Sequence, residues 1–96
     1  MAQIDRFNYR TASPGTLLVV VGKGFGKEQG EGNIKFADSL GRPRINGKPT
    51  SWTDTKIEVP VPNDARTGEV RVYAHDKVSN AQELHVSPEG VLVTWF

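Results

Sequence analysis

The chain has 96 residues, no cysteine and a net charge of +1, with 12 Lys and Arg against 11 Asp and Glu. This length suits one small domain, and the lack of cysteine excludes disulfides and thiolate metal sites. Because the charges are balanced and scattered, nucleic acid and membranes are not expected as partners, and no apolar run is long enough to span a bilayer.

Seven short segments rich in Val, Ile, Leu and aromatic residues follow one another along the chain, separated by breaks that contain Gly or Pro. They are residues 4–9, 16–22, 33–36, 56–61, 69–74, 82–86 and 91–96. No stretch repeats apolar residues at helical spacing over three turns, so almost no helix is expected. Seven short strands joined by turns predict an all-β, antiparallel β-sandwich.

Alternation of apolar and polar residues assigns one face of each strand to the core. The predicted core residues are Phe7, Leu17, Val19, Val21, Phe25, Ile34, Phe36, Trp52, Ile57, Val59, Val61, Val70, Val72, Ala74, Leu84 and Val86. Pro60 has no amide donor, so its strand is expected to lie at an edge or to be irregular at that point.

The segment at residues 17–21 is apolar on both faces, which alternation alone does not explain. The core prediction leaves Leu18 and Val20 as an outward apolar row that needs a cover. The C-terminal segment at residues 91–96 is also largely apolar on both faces and could provide that cover, from the same chain or from another copy. The alternative that needs no partner is that this segment adds one strand to its own sheet.

Several motifs follow one another in a fixed order at residues 13–16, 19–26, 33–36, 51–62, 67–72 and 78–86. Residues 51–62 contain Trp52, Asp54 and Thr55 before Ile57, and the combined order of the motifs is more specific than any one of them. This order resembles the IPT/TIG domain, an immunoglobulin-like module of plexins and transcription factors. The resemblance implies an early-set immunoglobulin-like sandwich over residues 1–88. Residues 89–96 depart from the family's pattern, and we expect them to form an appended C-terminal strand.

Glycine and asparagine residues of these motifs suit scaffold roles. Gly22, Gly24 and Gly26 can adopt positive φ or permit close backbone approach where a strand leaves its sheet, so that the intervening Phe25 can fold back onto the core. Residues 67–68 predict a turn before the next strand, and residues 46–47 (Asn-Gly) predict a type I′ hairpin turn. Asn80 is expected to bond its own backbone in the last hairpin.

The motifs that could carry chemistry are incomplete. Residues 22–26 lack the third glycine and the following helix of a dinucleotide fingerprint. His75 and His85 fall on one predicted hairpin, but even with a nearby carboxylate they offer too few ligands for a structural zinc. Ser79 lies close to His75 and Asp76, yet its surroundings fit a turn without a pocket. We therefore expect no enzyme activity, no cofactor and no metal.

The leading hypothesis is a non-catalytic structural or protein-interaction module that docks to a protein partner, or to copies of itself, through the C-terminal strand or a sheet edge. The candidate partner-binding residues are Leu18, Val20, Tyr73, Leu92, Trp95 and Phe96. By analogy with other immunoglobulin-like modules, we expect a decoration or tail-associated component of a phage particle or another extracellular assembly. A virion or extracellular location is thus favoured, although the N-terminal residues show no secretory signal.

Two other functions stay open. A carbohydrate-binding accessory module of a secreted enzyme or adhesin would use Tyr73 and Trp95 as an aromatic platform for sugar rings. A dimerisation domain of a DNA-binding protein follows from the transcription-factor branch of the resemblance, but it would need a basic recognition region that this chain lacks.

Overall fold

The computed structural model describes residues 2–74 and 77–87, and no helix occurs among them. Ten strands follow in chain order: Gln3–Phe7 (β1), Thr11–Ala12 (β2), Leu17–Lys23 (β3), Asn33–Ala37 (β4), Pro43–Asn46 (β5), Ser51–Trp52 (β6), Lys56–Pro60 (β7), Arg66–Ala74 (β8), Lys77–Val78 (β9) and Gln82–Val86 (β10). Six of the seven predicted strands are present, and residues 91–96 lie outside the described residues. The sequence did not predict β2, β5, β6 and β9, which have only two to four residues each.

The strands form two sheets that face each other as an immunoglobulin-like β-sandwich, which confirms the predicted fold class. One sheet has the order β1-β3-β7-β6, and the other has the order β2-β10-β8-β4-β5, with β9 paired to β8. The pairing of β2 with β10 is parallel, and every other strand pair is antiparallel. The described residues include no helix long and apolar enough to cross a membrane.

The core between the sheets contains most of the residues that alternation assigned to it. The confirmed core residues are Phe25, Ile34, Phe36, Ile57, Val59, Val61, Val70, Val72, Ala74, Leu84 and Val86, each at most 4% exposed. Phe7 and Trp52 are partly buried and pack against this core. Burying these side chains is the main favourable contribution to folding in a chain without disulfides.

The predicted faces of β3 are wrong, because Leu18 and Val20 are completely buried. Leu18 pairs with Val59 and Val20 pairs with Ile57 on the neighbouring strand β7. Directly paired residues of antiparallel strands point to the same face, and β7 has a clear apolar side, so the pairing turns Leu18 and Val20 inward. As core residues they are not available to bind a partner, which corrects their assignment as candidate site residues.

The outward apolar row on the four-stranded sheet is instead Leu17, Val19 and Val21. Leu17 is 44% exposed, and Val19 and Val21 are half-buried. We call these three residues the outer row. Strand β3 is therefore apolar on both faces, as predicted, but its buried and outward faces are the reverse of the prediction.

The four edge strands leave little uninterrupted backbone for a partner strand. Strand β1 has a register shift between Ile4 and Arg6, and β2 and β6 have two residues each. Strand β5 begins at Pro43, and its pairing with β4 is also irregular. Short, interrupted or proline-bearing edges resist strand addition, which counts against docking through an edge of the described sheets.

The glycine-rich exit from β3, residues 22–26, closes tightly onto the core as predicted. Gly24 and Gly26 have φ of 76° and 94°, where a side chain would be strained. A Cβ on Gly22 would overlap the carbonyl oxygen of Gln3 and the ring of Phe25. Glycine is therefore required here for two distinct reasons, backbone conformation and close approach of neighbouring strands.

Hydrogen bonds complete the closure of this exit. The indole Nε1 of Trp52 donates to the carbonyl oxygen of Phe25 at 3.0 Å, and the two rings meet edge to face with centroids 6.5 Å apart. The amide of Phe25 donates to the carbonyl oxygen of Asp54 at 3.0 Å, and the amide of Gly26 donates to the Asp54 carboxylate at 3.0 Å. These contacts leave the backbone amides of Phe25 and Gly26 satisfied.

The predicted hairpin turn at Asn46 and Gly47 is wrong, because β5 and β6 belong to different sheets. Gly47 does not have positive φ, and its amide donates to the carbonyl oxygen of Ile34 at 2.8 Å. A Cβ on Gly47 would crowd the side chains of Val59, Ile34 and Phe36, so this glycine serves close packing where the chain crosses between sheets.

Three further local predictions also differ from the structure. Residues 67–68 lie within β8 and do not form a turn. The Asn80 side chain does not bond its own backbone: Oδ1 accepts from the Ile4 amide at 2.7 Å, and Nδ2 donates to the Ile4 carbonyl at 3.1 Å. The expectation for Pro60 is also wrong, because β7 is an interior strand and Pro60 pairs with Leu17 of β3 without a register shift. Proline is tolerated there because it ends β7 beyond the two residues that pair with β6.

Candidate binding cleft at the sandwich edge

A cleft of about 530 Å³ opens at the edge of the sandwich where β1 faces β10. It is lined by Asp5, Arg6, Phe7, Tyr9, Arg10, Thr67, Gln82, Glu83 and His85. Its volume lies within the usual range for small-ligand sites, roughly 300–1,000 Å³. We call it the β1–β10 cleft.

The cleft arises from the way the chain changes sheets. Strand β1 ends at Phe7 in one sheet, and the chain then crosses to β2 at the edge of the other sheet. Because β2 pairs only with His85 and Val86, the first part of β10 has no strand beside it on this side. An open space therefore remains between that part of β10 and the neighbouring strand β1.

Tyr9 stands at this cleft with an exposed ring. The preceding residue, Asn8, extends the pairing with β3: its amide donates to the Val19 carbonyl at 3.0 Å, and its side-chain Oδ1 accepts from the Val19 amide at 2.8 Å. Asn8 thus holds the end of β1 in place, while Tyr9 is 51% exposed. A firmly held backbone with an exposed aromatic side chain is suited to binding.

Polar groups surround the aromatic residue on both strands. Gln82 donates from Nε2 to the Asp5 carbonyl at 3.2 Å, and Gln3 donates to the Asp5 carboxylate at 2.8 Å. The His85 Nδ1 and the Thr67 hydroxyl lie 3.4 Å apart. The cleft therefore presents donors and acceptors beside one apolar ring face, which fits a ligand that has both hydroxyl groups and an apolar surface.

None of the sequence-predicted site residues that the structure describes lines this cleft. Tyr73 lies on the outer face of the six-stranded sheet, where it is half-buried, and the Lys35 ammonium sits 5.0 Å from its ring centroid. This cation–π contact occupies one face of the ring, which makes Tyr73 a poor sugar platform. Leu92, Trp95 and Phe96 lie outside the described residues, as do His75 and Asp76.

Ser79, which the sequence analysis weighed as a nucleophile, uses its hydroxyl in backbone hydrogen bonds. Its Oγ accepts from the Val72 amide at 2.9 Å and donates to the Asn80 carbonyl at 2.8 Å. The residue is 2% exposed. Within residues 2–74 and 77–87, no group of three or more His, Cys, Asp or Glu side chains is arranged to hold a metal.

The cleft does not follow from the predicted strand at residues 4–9, because β1 ends at Phe7 and leaves Tyr9 outside the strand. The available signal was Asn8, a strand-ending residue, with Tyr9 and Arg10 directly after it. A second cleft of about 470 Å³ lies at the opposite edge, near Lys48, Pro62 and Asp64. Its lining contains no aromatic residue, so the β1–β10 cleft is the stronger candidate site.

No protein-family model and no curated protein matches this chain. Solved structures that are similar include a Bacteroides thetaiotaomicron protein of unknown function, with a TM-score of 0.77 and 11% identity over 90% of this chain. An auxiliary nutrient binding protein from the same organism has a TM-score of 0.74 and 15% identity over 90% of this chain. A protein solved with xylogluco-oligosaccharide has a TM-score of 0.71 and 25% identity over 91% of this chain.

These similarities show the fold. The chain corresponds to 22%, 21% and 20% of the length of these three proteins. The chain is therefore an immunoglobulin-like β-sandwich. In each of these three proteins, the part similar to this chain makes up about one fifth of a longer polypeptide.

Proposed function

We propose that the chain is a non-catalytic accessory module that binds carbohydrate in the β1–β10 cleft. The similar structures support this class of function, because one is a nutrient-binding protein and another was solved with a xylogluco-oligosaccharide. Each is much longer than this chain, so the proposal is that the module contributes to a larger carbohydrate-active protein.

The observation that carries the proposal is the exposed Tyr9 ring in a polar cleft. The C–H face of a pyranose ring is apolar and packs well on an aromatic ring, while its hydroxyl groups need hydrogen-bond partners. Tyr9 offers the ring, and Asp5, Gln82 and Glu83 offer carboxylate and amide groups in the same cleft. Tyr9 thus takes the place of Tyr73 as the proposed aromatic platform for a sugar ring.

Titration of the chain with xylogluco-oligosaccharide, followed by amide chemical shifts in NMR spectra, tests the proposal. We expect the largest shifts at residues 5–10 and 82–85, and we expect Tyr9→Ala to weaken binding at least tenfold because the ring platform is lost. Leu40→Ala is the matched control, since Leu40 is 72% exposed at a turn outside the cleft. Absence of binding across neutral and acidic glycans, or unchanged binding by Tyr9→Ala, would overturn the proposal.

A second candidate function is association with protein through the outer row of Leu17, Val19 and Val21. Its support is the 44% exposure of Leu17 next to two half-buried valines on one sheet face. This function corresponds to the accessory role in a phage particle or another extracellular assembly. Light scattering over a wide concentration range tests it: Val19→Asp should prevent association, whereas Leu40→Asp should not. A monomer at every concentration, together with no capture of a heterologous partner, would exclude it.

Membership of the IPT/TIG family is part of the proposal. Its support is that the residues carrying the resemblance, among them Gly22, Phe25 and Trp52, hold structural positions at the exit from β3. These residues explain the fold and do not line the β1–β10 cleft. The resemblance is thus consistent with a shared scaffold that carries a binding site of its own.

A further inference from the structure

Two arginines in the β1–β10 cleft, Arg6 and Arg10, have no partner for their guanidinium groups among residues 2–74 and 77–87. The other arginines of the described residues are engaged. Arg42 pairs with Asp38 at 3.5 Å, and Arg71 pairs with Glu69 at 3.3 Å. Arg66 donates to backbone carbonyl oxygens, and Arg44 interacts electrostatically with Asp38. The two unpaired guanidinium groups therefore both line one cleft.

The acidic groups of the cleft do not neutralise these arginines. Asp5 and Glu83 line the same space, but neither forms an ion pair within 4.0 Å of Arg6 or Arg10. A guanidinium group binds a carboxylate through two parallel hydrogen bonds, a geometry that hydroxyl groups cannot match. Arg6 precedes Tyr9 in the sequence and Arg10 follows it, and neither guanidinium group has a partner within the described residues. This arrangement favours a sugar that carries a carboxylate.

We infer that the ligand of the β1–β10 cleft is an acidic glycan, in which a uronate carboxylate binds Arg6 and Arg10 while a sugar ring packs on Tyr9. This inference rests on the proposed function and specifies its ligand class. In this arrangement Asp5 and Glu83 accept hydrogen bonds from sugar hydroxyl groups.

Calorimetric titration of the chain with an oligogalacturonide and with its methyl ester tests this inference. The two ligands share a backbone and differ in the carboxylate charge. We expect the acid to bind about tenfold more tightly than the ester, and to lose affinity as salt is added. Arg6→Gln and Arg10→Gln should each weaken binding of the acid about tenfold and leave binding of the ester unchanged.

Three controls distinguish the effect of the arginine charge on binding from the effects of hydrogen-bond geometry and of unfolding. Arg44→Gln removes an exposed arginine outside the cleft and should leave binding unchanged. Arg6→Lys keeps the charge but loses the two-donor geometry, so it should recover only part of the affinity lost in Arg6→Gln. The thermal midpoint of every variant should equal that of the parent chain, which excludes unfolding as the cause.

Three outcomes would overturn the inference. Equal affinity for acid and ester, with Tyr9-dependent binding of both, would retain the proposed function but make the ligand a neutral glycan. Tight binding of a sulfated oligosaccharide but not of the oligogalacturonide would assign the arginines to sulfate. No binding of any glycan would overturn the proposed function as well.

Discussion

The glycine-rich exit from β3 and the β1–β10 cleft lie in the same small sandwich, yet they use polar atoms in opposite ways. At the exit, the amides of Phe25 and Gly26 and the indole of Trp52 all have hydrogen-bond partners. In the cleft, the guanidinium groups of Arg6 and Arg10 have none among residues 2–74 and 77–87, and Tyr9 is 51% exposed.

This difference separates residues that stabilise the fold from residues that are free to bind. Removing a hydrogen-bond partner at the exit leaves a buried donor unsatisfied, and adding a side chain to a closely packed glycine creates a steric overlap. Both changes lower the unfolding free energy. Exposed, unpaired side chains contribute little to stability, so their replacement should affect binding and not folding. Substitutions at the exit and in the cleft test this separation.

Gly22→Ala should be the most damaging change at the exit. The added Cβ would overlap the backbone oxygen of Gln3, so β1 and β3 would have to move apart; we expect a loss of about 3 kcal/mol or more in unfolding free energy. Urea denaturation measures it. Gly15→Ala is the control for backbone strain alone, because Gly15 has φ of 90° but open space around it, and about 1–2 kcal/mol is expected there. If both variants lost the same unfolding free energy, the close approach of β1 and β3 would not be the reason that glycine is required at position 22.

Ser79→Ala should have the next largest effect. The substitution leaves the buried amide of Val72 without its acceptor, which should cost about 1–3 kcal/mol. Thermal and urea unfolding report this loss. Ser51→Ala is the matched control, since the half-exposed Ser51 hydroxyl makes no hydrogen bond within the described chain, and its effect should stay within about 0.5 kcal/mol. Similar effects of both serines would contradict a specific role for the Ser79 hydroxyl.

Glu83→Gln should stabilise the protein slightly, which is the opposite of the effects at the exit. Glu83 lies directly across from Glu69 in the pairing of β10 with β8, and like charges in this position repel. Because Arg71 already pairs with Glu69, the gain should be small, about 0.3–0.5 kcal/mol, and it should disappear at high salt. Glu31→Gln, in a loop, should change nothing. A loss of stability in Glu83→Gln would show that this cleft residue also has a structural role.

Asp38→Asn should have the smallest effect, a slight loss of unfolding free energy above the ordinary pKa of 3.8 that disappears at more acid pH. Hydrogen bonds from the amides of Arg42 and Leu40, with the nearby charges of Arg42 and Arg44, lower the pKa of Asp38 below its ordinary value of 3.8. A lowered folded-state pKa stabilises the fold at pH values above the ordinary pKa, and this contribution is lost as the pH falls through the lowered pKa. The variant should therefore show a weaker acid dependence of unfolding than the parent chain. An identical pH profile would contradict the assignment.

The sequence predicted the fold where one face of a strand is clearly apolar. Strands β7, β8 and β10 alternate strictly, so their buried residues, such as Val59, Val72 and Leu84, were assigned correctly. Strand β3 is apolar on both faces, so only its pairing with β7 decides that Leu18 and Val20 point inward. Strands of two to four residues, such as β2 and β6, contain too few positions for a periodic pattern.

The cleft could not be predicted from local sequence because it arises from tertiary structure. Tyr9 and Gln82 are far apart in the chain, and they line one cleft only because the chain changes sheets after β1 and because β2 is short. The side-chain hydrogen bonds from Asn80 to Ile4 join residues 76 positions apart in the same way. Such contacts leave no periodic signal in either segment.

The amide of Gly47 has a consequence for the chemical ageing of the protein. Asparagine followed by glycine deamidates readily when the following backbone nitrogen is free to attack the side-chain amide carbon. Here the Gly47 nitrogen donates its hydrogen bond to Ile34 at 2.8 Å, and the glycine is buried against the core. Asn46 is thus protected in the folded state and becomes susceptible when β5 opens locally. Slow deamidation at Asn46, followed by mass spectrometry, would report how often this edge of the sandwich separates from β4.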